Sequence, residues 1–96
     1  MFITLKDETK IDIIRANETY FAGRNNVVTF ALSGNGRTVK DVAAMLTDDN
    51  ISVITLTSDS GKEYVFDGLY LKSVDRYFDK EDAEITIVLT DVKETE

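Results

Sequence analysis

Along this chain apolar and polar residues alternate in short runs, the period of strands that turn one face to a core. In "FITLKD" Ile3 and Leu5 share a face. In "KIDIIRA" Ile11 and Ile13 alternate with Asp12, and Ile14 adds apolar surface on the other side. The two runs meet at Asp7-Glu8-Thr9, which predicts a hairpin. "NVVTFALS" is apolar on both faces, with Val28, Phe30 and Leu32 on one of them, which predicts a central strand covered on both sides. "ISVITLTS", "EYVFDGLYLKS" and "AEITIVLTDV" continue in the same β-branched and aromatic style. Ser58-Asp59-Ser60-Gly61 marks a turn. Asp67-Gly68 reads as a bulge within one long bent strand, because a tight turn there leaves very short arms.

One stretch changes period. Val39, Val42, Ala43 and Leu46 recur at i, i+3, i+4 and i+7, a single apolar stripe on a helix near 38–48. Thr38 followed by Asp41 resembles a capping box with Asp in the role of Glu. Asp48, Asp49 and Asn50 end the helix, which is too short to persist without a sheet beneath it. The pattern predicts one domain over residues 1–96, mainly β (α+β), with six to seven mostly antiparallel strands in a sandwich or roll. Phe30, Ile54, Leu56, Ile85, Ile87 and Leu89 are expected in its core, and 92–96, including "KETE", are expected to fray.

The chain also echoes itself. "ETYFAGRNNVVTFAL" (18–32) and "DRYFDKEDAEITIVL" (75–89) each place Tyr-Phe two residues after an acid, then a polar loop, then an apolar run. At an offset of 57, Tyr20 matches Tyr77, Phe21 matches Phe78, Thr29 matches Thr86 and Leu32 matches Leu89. "ITL" at 3–5 recurs at 54–56, ahead of the echo in both halves. Duplication and convergence of similarly buried strands both account for this. On either account the expected role of Tyr-Phe is packing: a bend with one large ring in the core and a hydroxyl near water.

Charge narrows the choice of partner. Eleven basic and eighteen acidic residues leave a net charge of −7, and Arg15, Arg24, Arg37 and Arg76 are scattered. Free nucleic acid requires clustered cations, so it is not an expected partner. No apolar stretch approaches a membrane span, and "MFITLKDETK" has no apolar core of a signal peptide, so a cytoplasmic location is expected. There is no Cys and no His. Disulfides, thiolate metal sites, the commonest general base and the commonest activated thiol are thereby removed. The expectation is no enzyme, with no catalytic, cofactor-binding or metal residue and no cofactor.

Two motifs invite a closer look. "LSGNGRTVKDV" runs from strand through two glycines to helix, as phosphate loops do. It lacks the Lys of a Walker loop, and Asp41 stands where a dinucleotide fingerprint has its third glycine. A plain strand-to-helix turn is the better reading. The acidic clusters "TDDN" and "DKEDAE" lack the spacing of a calcium loop and read as solvated turns.

The "ITLKD-x-x-KI" hairpin, a short helix ending in "TDDN", a "YVFDGLYLKSV" strand and an "ITIVL" strand together resemble small uncharacterised proteins of bacterial phages and prophages. The resemblance covers nearly the whole chain and implies a structural or accessory role in a head or tail module, with incorporation into a virion. It carries over no functional residue. "VVTFAL", "ISVITL" and "ITIVL" hold almost no charge, and since not all of them can be central, another chain is expected to cover the remainder. The expected function is therefore non-enzymatic association with protein, either self-association or another component of the same assembly. The alternative is an acidic inhibitor occupying a basic, nucleic-acid-binding surface of another protein. A small-molecule binding module ranks third.

Overall fold

A computed structural model describes residues 1–23, 25–78 and 83–92. The chain runs β1 (Phe2–Thr4), β2 (Lys10–Asp12), β3 (Arg15–Tyr20), β4 (Asn26–Ser33), α1 (Val39–Met45), β5 (Val53–Thr57), β6 (Glu63–Asp67), β7 (Tyr70–Tyr77) and β8 (Glu84–Thr90). Two four-stranded antiparallel sheets result, ordered β2-β1-β5-β6 and β3-β4-β8-β7. Their inner faces share one core, and the Phe30 and Phe66 rings meet edge to face across it at 6.2 Å. All six residues expected in the core are buried.

Eight strands form where the pattern marks six or seven, because two runs divide between sheets. "KIDIIRA" breaks at Ile13-Ile14, so β2 lies in one sheet and β3 in the other. The single bent strand expected across Asp67-Gly68 is likewise two strands, β6 and β7, joined by Gly68 and the buried Leu69. Gly68 turns the chain at φ +67, a conformation open to glycine at little cost. The bulge lies instead between Leu71 and Ser73, against β8.

The β1–β2 hairpin turns at Asp7-Glu8 as expected. Asp7 Oδ1 accepts from the Thr9 amide at 2.9 Å, and Glu8 takes φ +73. α1 starts at Thr38, whose Oγ1 accepts from the Asp41 amide at 3.0 Å. Val42 and Leu46 enter the core; Val39 is only partly covered. The helix packs on β7. The following residue Asn50 closes it with a bond to the Met45 carbonyl (2.7 Å), and accepts from the Lys6 and Asp7 amides of the β1–β2 turn. α1 therefore plugs the side of the sandwich bounded by β7 and the β1–β2 hairpin.

The topology has an internal two-fold. Exchanging β1 with β5, β2 with β6, β3 with β7 and β4 with β8 reverses both strand orders and changes nothing else. The echoes obey it. Phe30 lies opposite Ile87, the pair related by 57, and Thr4 lies opposite Thr55, matched by the two "ITL" segments. Tyr20 and Tyr77 end the equivalent edge strands β3 and β7. The segments that follow them differ in length, 21–25 against 78–83, and residues 24 and 79–82 lie outside those described, as does the expected frayed "KETE". The expected packing role of Tyr-Phe does not hold. Tyr20 is 68% exposed and Phe78 78%, and Phe21 and Tyr77 are exposed too. Both pairs sit where the edge strands run past the core, so neither ring reaches it.

Candidate interaction surface

The apolar, nearly uncharged segments all find central positions. "VVTFAL" is β4, "ITIVL" is β8 and "ISVITL" leads into β5, each with a strand on both sides. The premise that one of them needs another chain therefore falls: two sheets offer four central places, not two. The strands that remain single-sided are β2, β3, β6 and β7. Charge falls within two of them, Glu18 in β3 and Lys72, Asp75 and Arg76 in β7, and the three-residue β2 has only the buried Ile11 between Lys10 and Asp12. In β6 the charges Glu63 and Asp67 stand only at the ends, with Tyr64-Val65-Phe66 between them. Val65 is 66% exposed and Tyr64 is also exposed.

Beside β6 the sandwich is open. A cleft of about 170 Å³ runs between edge strands β3 and β6, lined chiefly by Ala16, Glu18, Phe30, Leu56, Tyr64 and Phe66. Ala16 and Glu18 pair with Phe30 and Val28, so they project between the sheets. Glu18 is exposed and accepts from Asn26 Nδ2 at 2.8 Å. The other amide atom, Asn26 Oδ1, is buried and has no hydrogen-bond partner. Glu18 thus stands at this cleft as an exposed acceptor with capacity beyond its one bond from Asn26. Two further hollows, of about 190 and 300 Å³, lie on the outer faces of the two sheets, one bordered by Thr29, Ala31 and Thr86, the other by Phe2, Thr4 and Thr55.

The "SGNGRT" loop is built around a cation. Arg76, from β7, donates to the carbonyls of Gly34 (3.4 Å) and Arg37. A Cβ on Gly34 would lie 2.9 Å from the Ala83 carbonyl oxygen, whose bond from the Gly34 amide is 2.7 Å. The first glycine thus serves close approach of two loops, and the carbonyls rather than the amides of the loop meet the nearest charge. That geometry belongs to a strand-to-helix turn.

The acidic segments divide. Asp48 and Asp49 are exposed beside the β1–β2 turn, with Lys6 Nζ 3.1 Å from Asp49. The Thr9 hydroxyl and amide hold the Asp7 carboxyl below the usual aspartate range, with a smaller contribution from Asn50. A lowered value favours the fold above the ordinary aspartate range, and that contribution is lost as pH falls through the lowered one. In "DKEDAE", residues 79–82 lie outside those described, but Glu84 is not the solvated acid expected. It is 7% exposed and ion-paired with Arg15 at 2.6 Å, because β8 carries it between β4 and β7. Among the described residues no three acids group as metal ligands do, and no helix is long and apolar enough to cross a membrane.

Comparison of the chain with protein-family models, with curated proteins and with solved structures finds no match. The sheet edges and the cleft therefore carry the functional reading. Sequence reasoning missed this surface. The signal for it was present in "EYVFD", whose three middle residues lack charge, but only the topology makes that run an edge.

Proposed function

We propose that the protein works by association with another protein, without catalysis, through the side of the sandwich bounded by β3 and β6. The partner is a second copy or another component of the same assembly. The resemblance to phage and prophage proteins makes a head or tail module the natural setting, assembled in the bacterial cytoplasm. One observation carries this reading: β6 is a single-sided strand whose exposed centre, Tyr64-Val65, is uncharged. Such an edge offers unpaired backbone donors and acceptors together with apolar contact area, the usual material of strand-mediated or groove-mediated recognition.

A photo-cross-linking side chain at position 65 tests it. The expected result is one discrete adduct, with the protein itself or with one other component; in the chain without the cross-linker, Val65→Lys at the same edge should abolish that association. Light scattering over a concentration series then separates self-association from association with another component. Adducts from position 29 on the opposite outer face, with none from 65, would overturn the proposed surface.

The inhibitor reading has its own observation. The acids of the β1–β2 turn and those after α1 are brought together by the Asn50 bonds, so Asp7, Glu8, Asp48 and Asp49 share one end of the molecule. It predicts binding to a basic protein that weakens steeply with salt, insensitive to Val65→Lys.

A further inference from the structure

The two-fold of the strand topology makes the two open sides of the sandwich equivalent, yet they are filled differently. On one side α1 packs on β7 and sends Val42 and Leu46 into the core. The equivalent side, between β3 and β6, holds the 170 Å³ cleft. We propose that this cleft is the seat of a short amphipathic helix from a partner protein, carrying a Lys or Arg for Glu18 and one large apolar anchor. This rests on the reading that the protein works by association, and names the partner's chemistry.

Strand pairing sets the correspondence residue by residue. Ala16 pairs with Phe30 as Val74 pairs with Ile87, and Phe30 and Ile87 face each other across the two-fold. One step along, Glu18 pairs with Val28 as Arg76 pairs with Ile85. Glu18 is therefore the counterpart of Arg76. Arg76 is the cation that holds the loop leading into α1 by its carbonyls. At the same position the open side presents an anion, so its occupant must arrive with a donor. A helix bearing a cation near its approach to Glu18 satisfies that demand.

The size of the cleft sets the anchor. An engineered cavity of about 150 Å³ accepts benzene, so this one takes a single Leu- or Phe-sized side chain. Ala16 and its counterpart Val74 both pack against the core, and the smaller Ala16 leaves space on the β3 side. The rim is aromatic: Tyr64 and Phe66 line the cleft from β6.

The test uses the whole ¹⁵N-labelled chain and two lactam-constrained helical peptides. Both carry apolar residues spaced as Val39, Val42 and Leu46 are, with Leu at the central position. One has Lys in its first turn and the other Glu. Saturable amide shifts confined to Ala16, Glu18 and Tyr64–Phe66 are expected with the Lys peptide. Glu18→Lys should weaken that peptide about tenfold and favour the Glu peptide instead. Ala16→Leu, which fills the cleft, should weaken both. Thermal unfolding checks each variant, and Glu18→Lys, at an exposed position, keeps the test valid where Ala16→Leu does not fold. Absence of saturable shifts, or shifts spread over the outer faces, overturns the proposal. Shifts limited to the outward amides of β6 would mean strand addition, and overturn the helix. Cross-linking from position 65 without peptide binding would leave the association reading standing and remove this one alone.

Discussion

Arg37 stands out in the sequence because it follows two glycines at the start of a helix, yet the arginine that matters to this loop is 39 residues away in the chain's second half. Arg76 donates to the Gly34 and Arg37 carbonyls, and Arg37 contributes its backbone to that contact. Arg37→Ala keeps the carbonyl and is expected to change stability by no more than about 0.5 kcal/mol. Arg76→Ala removes both bonds and should cost about 1.5–3 kcal/mol, read as a shift in the urea midpoint. Equal effects of the two would show that the loop is not held this way. The core residues, by contrast, were legible one by one. Phe30 and Leu89 lie in runs apolar on both faces, too apolar for an edge, and both are fully buried. Truncation of either to Ala should cost about 2–5 kcal/mol through the cavity left behind, measured by denaturant unfolding. What alternation could not reveal was where Tyr20, Phe21, Tyr77 and Phe78 stand. An aromatic pair beside a strand reads as a core anchor unless the strand outruns the core, and strand length relative to the opposite sheet is not a local property.

At the scale of elements, the helix and the central strands follow from period and composition, and the sheet switches do not. The inward set passes from Ile11 and Ile13 to Ala16 and Glu18 across the break, a one-residue slip in alternation that a bulge produces equally. Phe66 and the buried Leu69 show the same slip. Gly68 was the visible mark, but its positive φ suits a bulge, a turn or a crossing alike. Its cost can be isolated. A Cβ at Gly68 meets nothing within 4 Å, so Gly68→Ala strains only the backbone and should destabilise by about 1–2 kcal/mol. Gly34→Ala should cost at least as much by a different route, since its Cβ meets the Ala83 backbone at 2.9 Å. Inserting two glycines in the sequence between Phe78 and Ala83 is expected to relieve the second and not the first, and denaturant midpoints of the four variants check the distinction. Relief of both, or of neither, would refute the assignment of one to strain and the other to contact.

At the scale of the whole molecule, the two-fold topology determines what can fold alone. Residues 1–50 supply β1–β4 and residues 51–96 supply β5–β8, and each half places one hairpin in each sheet. The central pairings β1–β5 and β4–β8 both join one half to the other. A lone half would therefore expose β1 and β4, or β5 and β8, along strands that carry much of the core. Two hairpins with so little shared interior are marginal in water. Separate polypeptides 1–50 and 51–96 should each give poorly dispersed amide spectra, and mixing them should restore the dispersion of the intact chain in a 1:1 complex. Either half could instead pair with itself, since the two-fold places Phe30 opposite Ile87 and Thr4 opposite Thr55. For 1–50 this sets Phe30 against Phe30, a larger pair than the native Phe–Ile, so its self-pairing should be the poorer fit. Heteromeric assembly is accordingly expected to displace homomeric assembly, and native mass spectrometry of an equimolar mixture measures the ratio. A well-dispersed monomeric spectrum from 1–50 alone would break the argument, because the halves would then be independent domains rather than two copies of an interlocking unit.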